Sequence, residues 1–178
     1  MDIRTASLDD LDLIADLGCR TYRDHFTSIW SERAMSEFLQ RDFSEKALQA
    51  SLVSPTHAWL VLRDAGEPKG FAKINWDRPD PVRQTVGAEL QKIYFSSAAT
   101  GRGYGARLLD AVFGEVGQRA QSWVWLDVLK SNRGAQAFYQ KHGFQMIGEI
   151  PFSTDKAEIG LFVMARDLCS ESVEPLAG

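Results

Sequence analysis

The chain has 178 residues, 44% of them hydrophobic and 25% charged, with a formal net charge of -4, the size and balance of one globular domain with its own core. No apolar run approaches the roughly 20 residues of a membrane span, MDIRTASLDD has no secretory pattern, and Cys19, Cys169, His25, His57 and His142 make neither a disulfide framework nor a metal-ligand spacing. The expectation is a cytoplasmic protein without metal, membrane or nucleic-acid partners; residues 1–56 hold ten acidic and six basic side chains and residues 57–178 fourteen of each, so the acidic excess lies wholly in the first third.

Residues 2–6 read as a first strand. Ser7 with Asp10 makes a capping box for a helix beginning near Leu8, whose core side is Leu11, Ile14, Ala15 and Leu17. CRTYRDHF follows where that helix ends, with Tyr22 and Phe26 directed at the core. WSERAMSEFLQRDF has helical spacing, with Ala34, Phe38 and Leu39 apolar, and a further short helix is capped by Ser44 and stopped before Pro55. A hairpin comes next, with strands from about Ala58 to Arg63 and from about Gly70 to Trp76; Asp77 to Val86, holding Pro79 and Pro81, is expected to be a loop.

ELQKIYFSSAATGRGYGARLLD is the stretch on which the chain turns. Strand alternation puts Glu89, Gln91, Ile93 and Phe95 on one face and Leu90, Lys92 and Tyr94 on the other. From Gly103 the period becomes helical, with Leu108, Val112 and Val116 on one stripe. Gly101, Gly103 and Gly105 therefore sit where a strand hands over to a helix N-terminus, whose unpaired N–H groups and partial positive charge suit a phosphate. Gly101-x-Gly103-x-x-Ala106 fits a loose dinucleotide fingerprint, and Gly103-x-Gly105 fits a coenzyme A loop. A dinucleotide fold opens with its glycine turn, however, and here most of a domain precedes it. Gly114 and Gly117 in the following helix suggest close packing against the sheet.

WVWLDVLKSNRGAQAFYQKHGF reads as a strand over 123–128, a helix capped by Asn132 and a stop at Gly143, followed by strands from Phe144 to about Ile150 and from about Ala157 to Arg166. Asn132 and Tyr139 lie close to two turns apart, on the same side of the helix and roughly 10 Å apart along it. The end, residues 169–178, reads as a frayed tail of one undivided domain.

Asparagine and tyrosine ahead of Gly-Phe, downstream of the glycine turn, resemble the coenzyme site of the GCN5-related N-acetyltransferase (GNAT) superfamily. The resemblance implies an α/β fold: a single GNAT domain with a mixed, mostly antiparallel central sheet of about seven strands, flanked by helices, that splays between strands 4 and 5. It implies acetyl-CoA as co-substrate, with pantetheine on the backbone of Ile93, Tyr94 and Phe95. The pyrophosphate would lie at Thr100, Gly101, Arg102, Gly103, Tyr104 and Gly105, with Arg107 nearby, and Asn132 would bond the coenzyme. Thr100 stands where the family usually has arginine or glutamine, which removes a side-chain contact and leaves the backbone cradle. Tyr139 matches the tyrosine beside the sulfur, a proton donor to the departing thiolate, and Glu89 matches a carboxylate base of some relatives; ordered water is the alternative base. The acceptor site would draw on the segment joining the first two helices, with Tyr22, Asp24 and Phe26 as substrate contacts and Glu32 and Glu37 behind them. Among branches the chain most resembles the bacterial spermidine/spermine N-acetyltransferases, implying a small cationic amine as partner. Other amines, a non-catalytic acyl-CoA sensor and a homodimer stay open.

Overall fold

The capping box at Ser7 forms: its hydroxyl accepts from the Asp9 N–H at 3.3 Å, and the Asp10 carboxylate accepts from the Ser7 N–H at 3.0 Å. It opens a 3-10 turn, Leu8–Asp10, that leads into α1 (Leu11–Phe26). Asp10 is fully buried, and Arg4 meets it through two 2.7 Å bonds that hold its carboxyl below the usual range. The computed structural model describes residues 1–96 and 102–169. After β1 (Asp2–Thr5) and α1 come α2 (Glu32–Phe43), α3 (Glu45–Leu52), β2 (His57–Asp64), β3 (Glu67–Pro79), β4 (Val86–Phe95), α4 (Tyr104–Gln118), β5 (Trp123–Leu129), α5 (Arg133–Lys141), β6 (Gln145–Ile150) and β7 (Leu161–Asp167). Ser31, Ser44 and Asn132 cap α2, α3 and α5, each accepting a backbone N–H three residues on, as short polar residues at helix starts do.

The strands form one seven-stranded sheet in the order β1-β2-β3-β4-β5-β7-β6, antiparallel except at the β4–β5 pair. Alternation along the strands sorts the apolar side chains onto two faces. Leu60, Leu62, Ala72, Ile74, Leu90, Val124, Leu126 and Met164 form one core with Leu108, Leu109, Val112 and Val116 of α4 and with Tyr139 of α5. Trp59, Val61 and Phe71 form the other core with Ile14 and Leu17 of α1, Met35, Leu39 and Phe43 of α2, and Leu48 of α3. Beyond β4 this second face carries no helix. There Trp123, Trp125, Val163 and Ala165 cluster under the loop after β3, whose buried Asp80 accepts from the N–H groups of Val82, Arg83 and Thr85 and from Trp123 Nε1.

Several expectations are corrected here. β3 continues through Pro79: a register shift between Asn75 and Arg78, with Asp77 at φ 53°, absorbs the irregularity, and the loop shrinks to residues 80–85. The last strand starts at Leu161, because residues before it make only the isolated Ser153–Glu158 bridge. Gly114 and Gly117 do not mark close packing, since a Cβ at either would meet nothing within 4 Å. The close approach is at Gly87, where a Cβ would come 2.1 Å from the Trp123 carbonyl oxygen. Residues 170–178, the end of the expected frayed tail, and Thr100 and Gly101 of the expected phosphate turn, lie outside the described residues.

Candidate active site

β4 and β5 pair only at Ala88–Val124 and Glu89–Trp125. Past that point β4 stays on β3 as far as Phe95, while β5 stays on β7 as far as Leu129. Among the described residues the backbone edge of Leu90–Phe95 facing β5 is thus left without a strand partner, an edge of the kind able to take up an extended amide chain. Ile93, Tyr94 and Phe95, the expected pantetheine contacts, lie along that edge.

At the wide end stands the N-terminus of α4. Gly103, at φ 72°, is its N-cap and supplies no side-chain cap, so no side chain caps the first-turn N–H groups among the described residues. Arg102 and Arg107 are exposed beside it. Tyr104 differs from expectation: its ring is buried in the α4 core and its hydroxyl donates to Asp64 Oδ2 at 2.6 Å, so only its backbone is turned to this end. Gly105 differs too, because a Cβ there would lie 3.0 Å from the Phe138 ring; this glycine lets α4 approach α5. The Asn132 side-chain oxygen is engaged with the Ala135 N–H at 3.0 Å.

A bulge at Gln91 sets the faces of β4. Lys73 pairs with Lys92 and Ile74 with Leu90, so Gln91 is passed over and the alternation shifts by one residue. Ala88, Leu90, Ile93 and Phe95 pack with the α4 core, whereas Tyr94 packs with α1 and Lys92 bonds to α2. Glu89 therefore shares the opposite face with Lys92 and Tyr94, and not with Ile93 and Phe95 as strict alternation requires. Its Oε2 accepts from Asn75 Nδ2 at 2.8 Å and lies 3.8 Å from Arg78 Nε.

Asp127, which composition and motif do not single out, occupies the same face of β5. Its neighbours Leu126 and Val128 point into the α4 core, so Asp127 points away from it, with its side chain accessible. The protein around it, and then the charge of Glu89, push its carboxyl up to about 6, against the pull of Lys92. Tyr139 is 8% exposed and packed edge-on to Phe144. Burial, and then the Asp127 charge, drive its phenol well above the ordinary range. It is a donor throughout the physiological range, and its hydroxyl has no hydrogen-bond partner among the described residues.

Tyr22 and Phe26 do come together, with ring centroids 4.4 Å apart, and both rings meet Tyr94 edge-on at 6.2 and 6.0 Å. Phe38 of α2 stacks on Tyr22 at 3.9 Å and His25 on Tyr94 at 6.3 Å. Burial pushes the Tyr22 phenol up to about 12. Asp24 is not part of this aromatic floor: two residues along a helix is about 200° of rotation, and its side chain is exposed on the far side of α1. The same arithmetic finds His25 from Tyr22 by its three-residue spacing. Asp42, by contrast, enters the site from the last turn of α2, where nothing in the sequence marks it.

A model of the acetyltransferase (GNAT) family matches residues 18–144. An uncharacterized N-acetyltransferase of Mycobacterium bovis is 28% identical over 162 residues, covering 90% of this chain and 99% of that one. Among solved structures, the PaiA N-acetyltransferase of Thermoplasma acidophilum in complex with coenzyme A superposes with a TM-score of 0.75 at 20% identity, covering 93% of this chain and 98% of the other. YncA of Salmonella typhimurium with its cofactor acetyl-CoA gives 0.69 at 20% identity, with 99% of each chain covered. The likeness to these two is one of fold.

Proposed function

Since the chain belongs to the acetyltransferase (GNAT) family, we propose that its β4–β5 wedge holds acetyl-CoA and that an amine on the opposite side, over the aromatic floor, receives the acetyl group. The observation that carries this reading is the two-pair register of β4 and β5, which leaves the β4 edge without a strand partner among the described residues, in the element that precedes the glycine-capped N-terminus of α4. Pantetheine amides would pair with residues 93–95, and the pyrophosphate would take the first-turn N–H groups of α4, with Arg102 adding charge.

The reaction joins the acceptor nitrogen to the thioester carbonyl carbon and breaks the C–S bond. The nitrogen must first lose a proton and the sulfur must gain one. Tyr139, protonated and without a hydrogen-bond partner among the described residues, suits the proton donor to sulfur. For the base, Glu89 is joined by Asp127. Asp127 becomes a carboxylate near pH 6, close to the working pH at which a base is most effective. Glu89, held by Asn75, acts on Asp127 through its charge or relays through water.

A cationic acceptor, with spermidine or spermine as the specific candidates, is supported by the branch resemblance and by the acidic first third of the chain. Aromatic faces at Tyr22, Phe26 and Tyr94 suit the methylenes and ammonium groups of such a chain, with Asp42, Glu89 and Asp127 around them and Asp24, Glu32 and Glu37 further out. The test is coenzyme A release across a panel of polyamines, monoamines, amino acids, aminoglycosides and peptide N-termini. Polyamines are expected to react, with a KM that rises with ionic strength more than that of a monoamine, since remote ion pairs are screened over about 10 Å at 0.1 M salt. Turnover of another amine with none of spermidine or spermine removes polyamines and leaves the acetyl transfer standing; no turnover of any amine removes both.

A further inference from the structure

Lys92 lies inside the acceptor face and has no part in the chemistry just described. Only 7% of it is exposed, a burial lysine reaches almost only when paired. Its Nζ bonds Asp42 Oδ2 at 2.8 Å and lies 5.2 and 5.7 Å from the centroids of the Phe38 and Phe43 rings. A pair so placed contributes little net stability, because desolvating both ions offsets their attraction, and an apolar side chain between two phenylalanines would serve packing as well. A cation at this place therefore calls for another role.

The charged groups on this face come from four elements. Asp42, with Arg41 bonded to its other oxygen at 2.8 Å, comes from α2. β3 contributes Lys73, directly across the register from Lys92, and Arg78 near Glu89. Glu89 is on β4 itself, Asp127 is on β5, and the neutral phenols of Tyr22 and Tyr94 lie on the same face. Burial, and then the neighbouring Lys92 charge, hold the Lys73 ammonium below its ordinary range. At Asp127 the two named charges oppose one another: Glu89 disfavours the carboxylate and Lys92 favours it.

We propose that Lys92 is a positioning residue of the acetyl transfer: anchored by Asp42, its ammonium keeps Asp127 available as a carboxylate beside Glu89, so that Asp127 can take the proton of the incoming amine. The proposal rests on reading Asp127 as the proton acceptor. Two carboxylates on one face repel, which favours the protonated form of one of them, and a fixed cation nearby opposes that. Asp42 fixes the cation from the α2 side, at a distance from the reacting atoms, and leaves the Asp127 oxygens free.

The test is the pH dependence of kcat/KM between about pH 5 and pH 9 for the unaltered enzyme and for Lys92→Met, Lys92→Arg and Asp127→Asn. With the cation removed, the surrounding protein and Glu89 act on Asp127 unopposed, so the acid limb should move up by about one unit in Lys92→Met, roughly a tenfold loss on the limb and little loss on the plateau. Lys92→Arg should restore the limb. A uniform loss at every pH with the limb in place makes Lys92 a packing residue and overturns the proposal. Asp127→Asn tests the underlying reading separately: the limb should disappear, and a limb unchanged in that variant sinks Asp127 as base whatever Lys92 does. Should Lys92→Met fail to fold by far-ultraviolet circular dichroism, Asp42→Asn is read instead. That variant leaves the Lys92 charge uncompensated and should lower the limb; an unmoved or raised limb overturns the proposal.

Discussion

The ring of Phe138 on α5 lies against Gly105 on α4, leaving 3.0 Å between its Cε2 and the place a Cβ would take. A side chain at residue 105 therefore presses first on α5, whereas Gly103 has open space but a φ of 72°. Gly105→Val is expected to lower stability by about 1–3 kcal/mol through overpacking and to be partly rescued by Phe138→Leu. Gly103→Ala should cost about 1–2 kcal/mol in backbone strain, weaken coenzyme binding and be indifferent to Phe138→Leu. Thermal melts and calorimetric titration with coenzyme A of the single and double variants check both; rescue of Gly103→Ala by Phe138→Leu would refute this separation.

Gly87 governs the closed end of the wedge. A methyl group there would meet backbone, the Trp123 oxygen at 2.1 Å, which cannot rotate away. Gly87→Ala should force β4 from β5 where they are paired, with a loss of about 2–3 kcal/mol and a larger fall in turnover than in coenzyme affinity. Urea unfolding with stability unchanged would mean that the strands yield freely.

Tyr139→Phe removes one hydroxyl and keeps the ring against Phe144. Turnover should fall about tenfold or more while coenzyme A affinity changes less than twofold, since the bond to sulfur matters as the thiolate forms. Equal loss in both quantities would make the tyrosine a ground-state contact.

Asp127 carries a pH dependence of stability as well as of rate. Its folded carboxyl is raised from the ordinary 3.8 to about 6, so the folded state binds more protons and stability falls as pH rises through that window. Asp127→Asn should therefore unfold at higher denaturant concentration at pH 7 than the parent, an advantage that vanishes toward pH 4, while its turnover is impaired. Glu89→Gln removes the charge that raises Asp127 and should shift the acid limb of the rate profile downward. A limb that stays put in Glu89→Gln would uncouple the two carboxylates.

The helices and their caps are legible in the sequence because each rests on neighbours within four residues: Ser7 with Asp10, Asn132 with Ala135, the stop at Gly143, which has φ 80°. The bulge at Gln91 is not legible. It is defined by which residues of β3 oppose which residues of β4, and a period-2 pattern reads the same with or without it until a partner is aligned. That one residue moves Glu89 to the acceptor face and joins it to Lys92 and Tyr94. Asp127 and Asp42 escape for a related reason: an acid at a strand position or in a helix's last turn looks solvated until the sheet face opposite is known. Gly105 was legible as a glycine that matters, but the neighbour it accommodates is 33 residues on.

Ser31, at the start of α2, donates its N–H to Asp155 at 3.1 Å. Beside it the rings of Trp30 and Phe152 meet edge-on at 6.1 Å, and Lys156 reaches the Thr27 carbonyl at 3.5 Å. These contacts join the α1–α2 turn to the β6–β7 connection, and Ser31, through its hydrogen bonds, draws Asp155 below the usual carboxylate range. Both polar contacts are at the surface, so this bridge can part at a small fraction of the cost of global unfolding. Amide exchange at Ser31 should accordingly be quick, and faster still in Asp155→Ala, while exchange in the buried strands β3 and β5 stays unchanged; a uniform acceleration would mean that the bridge and the core open together.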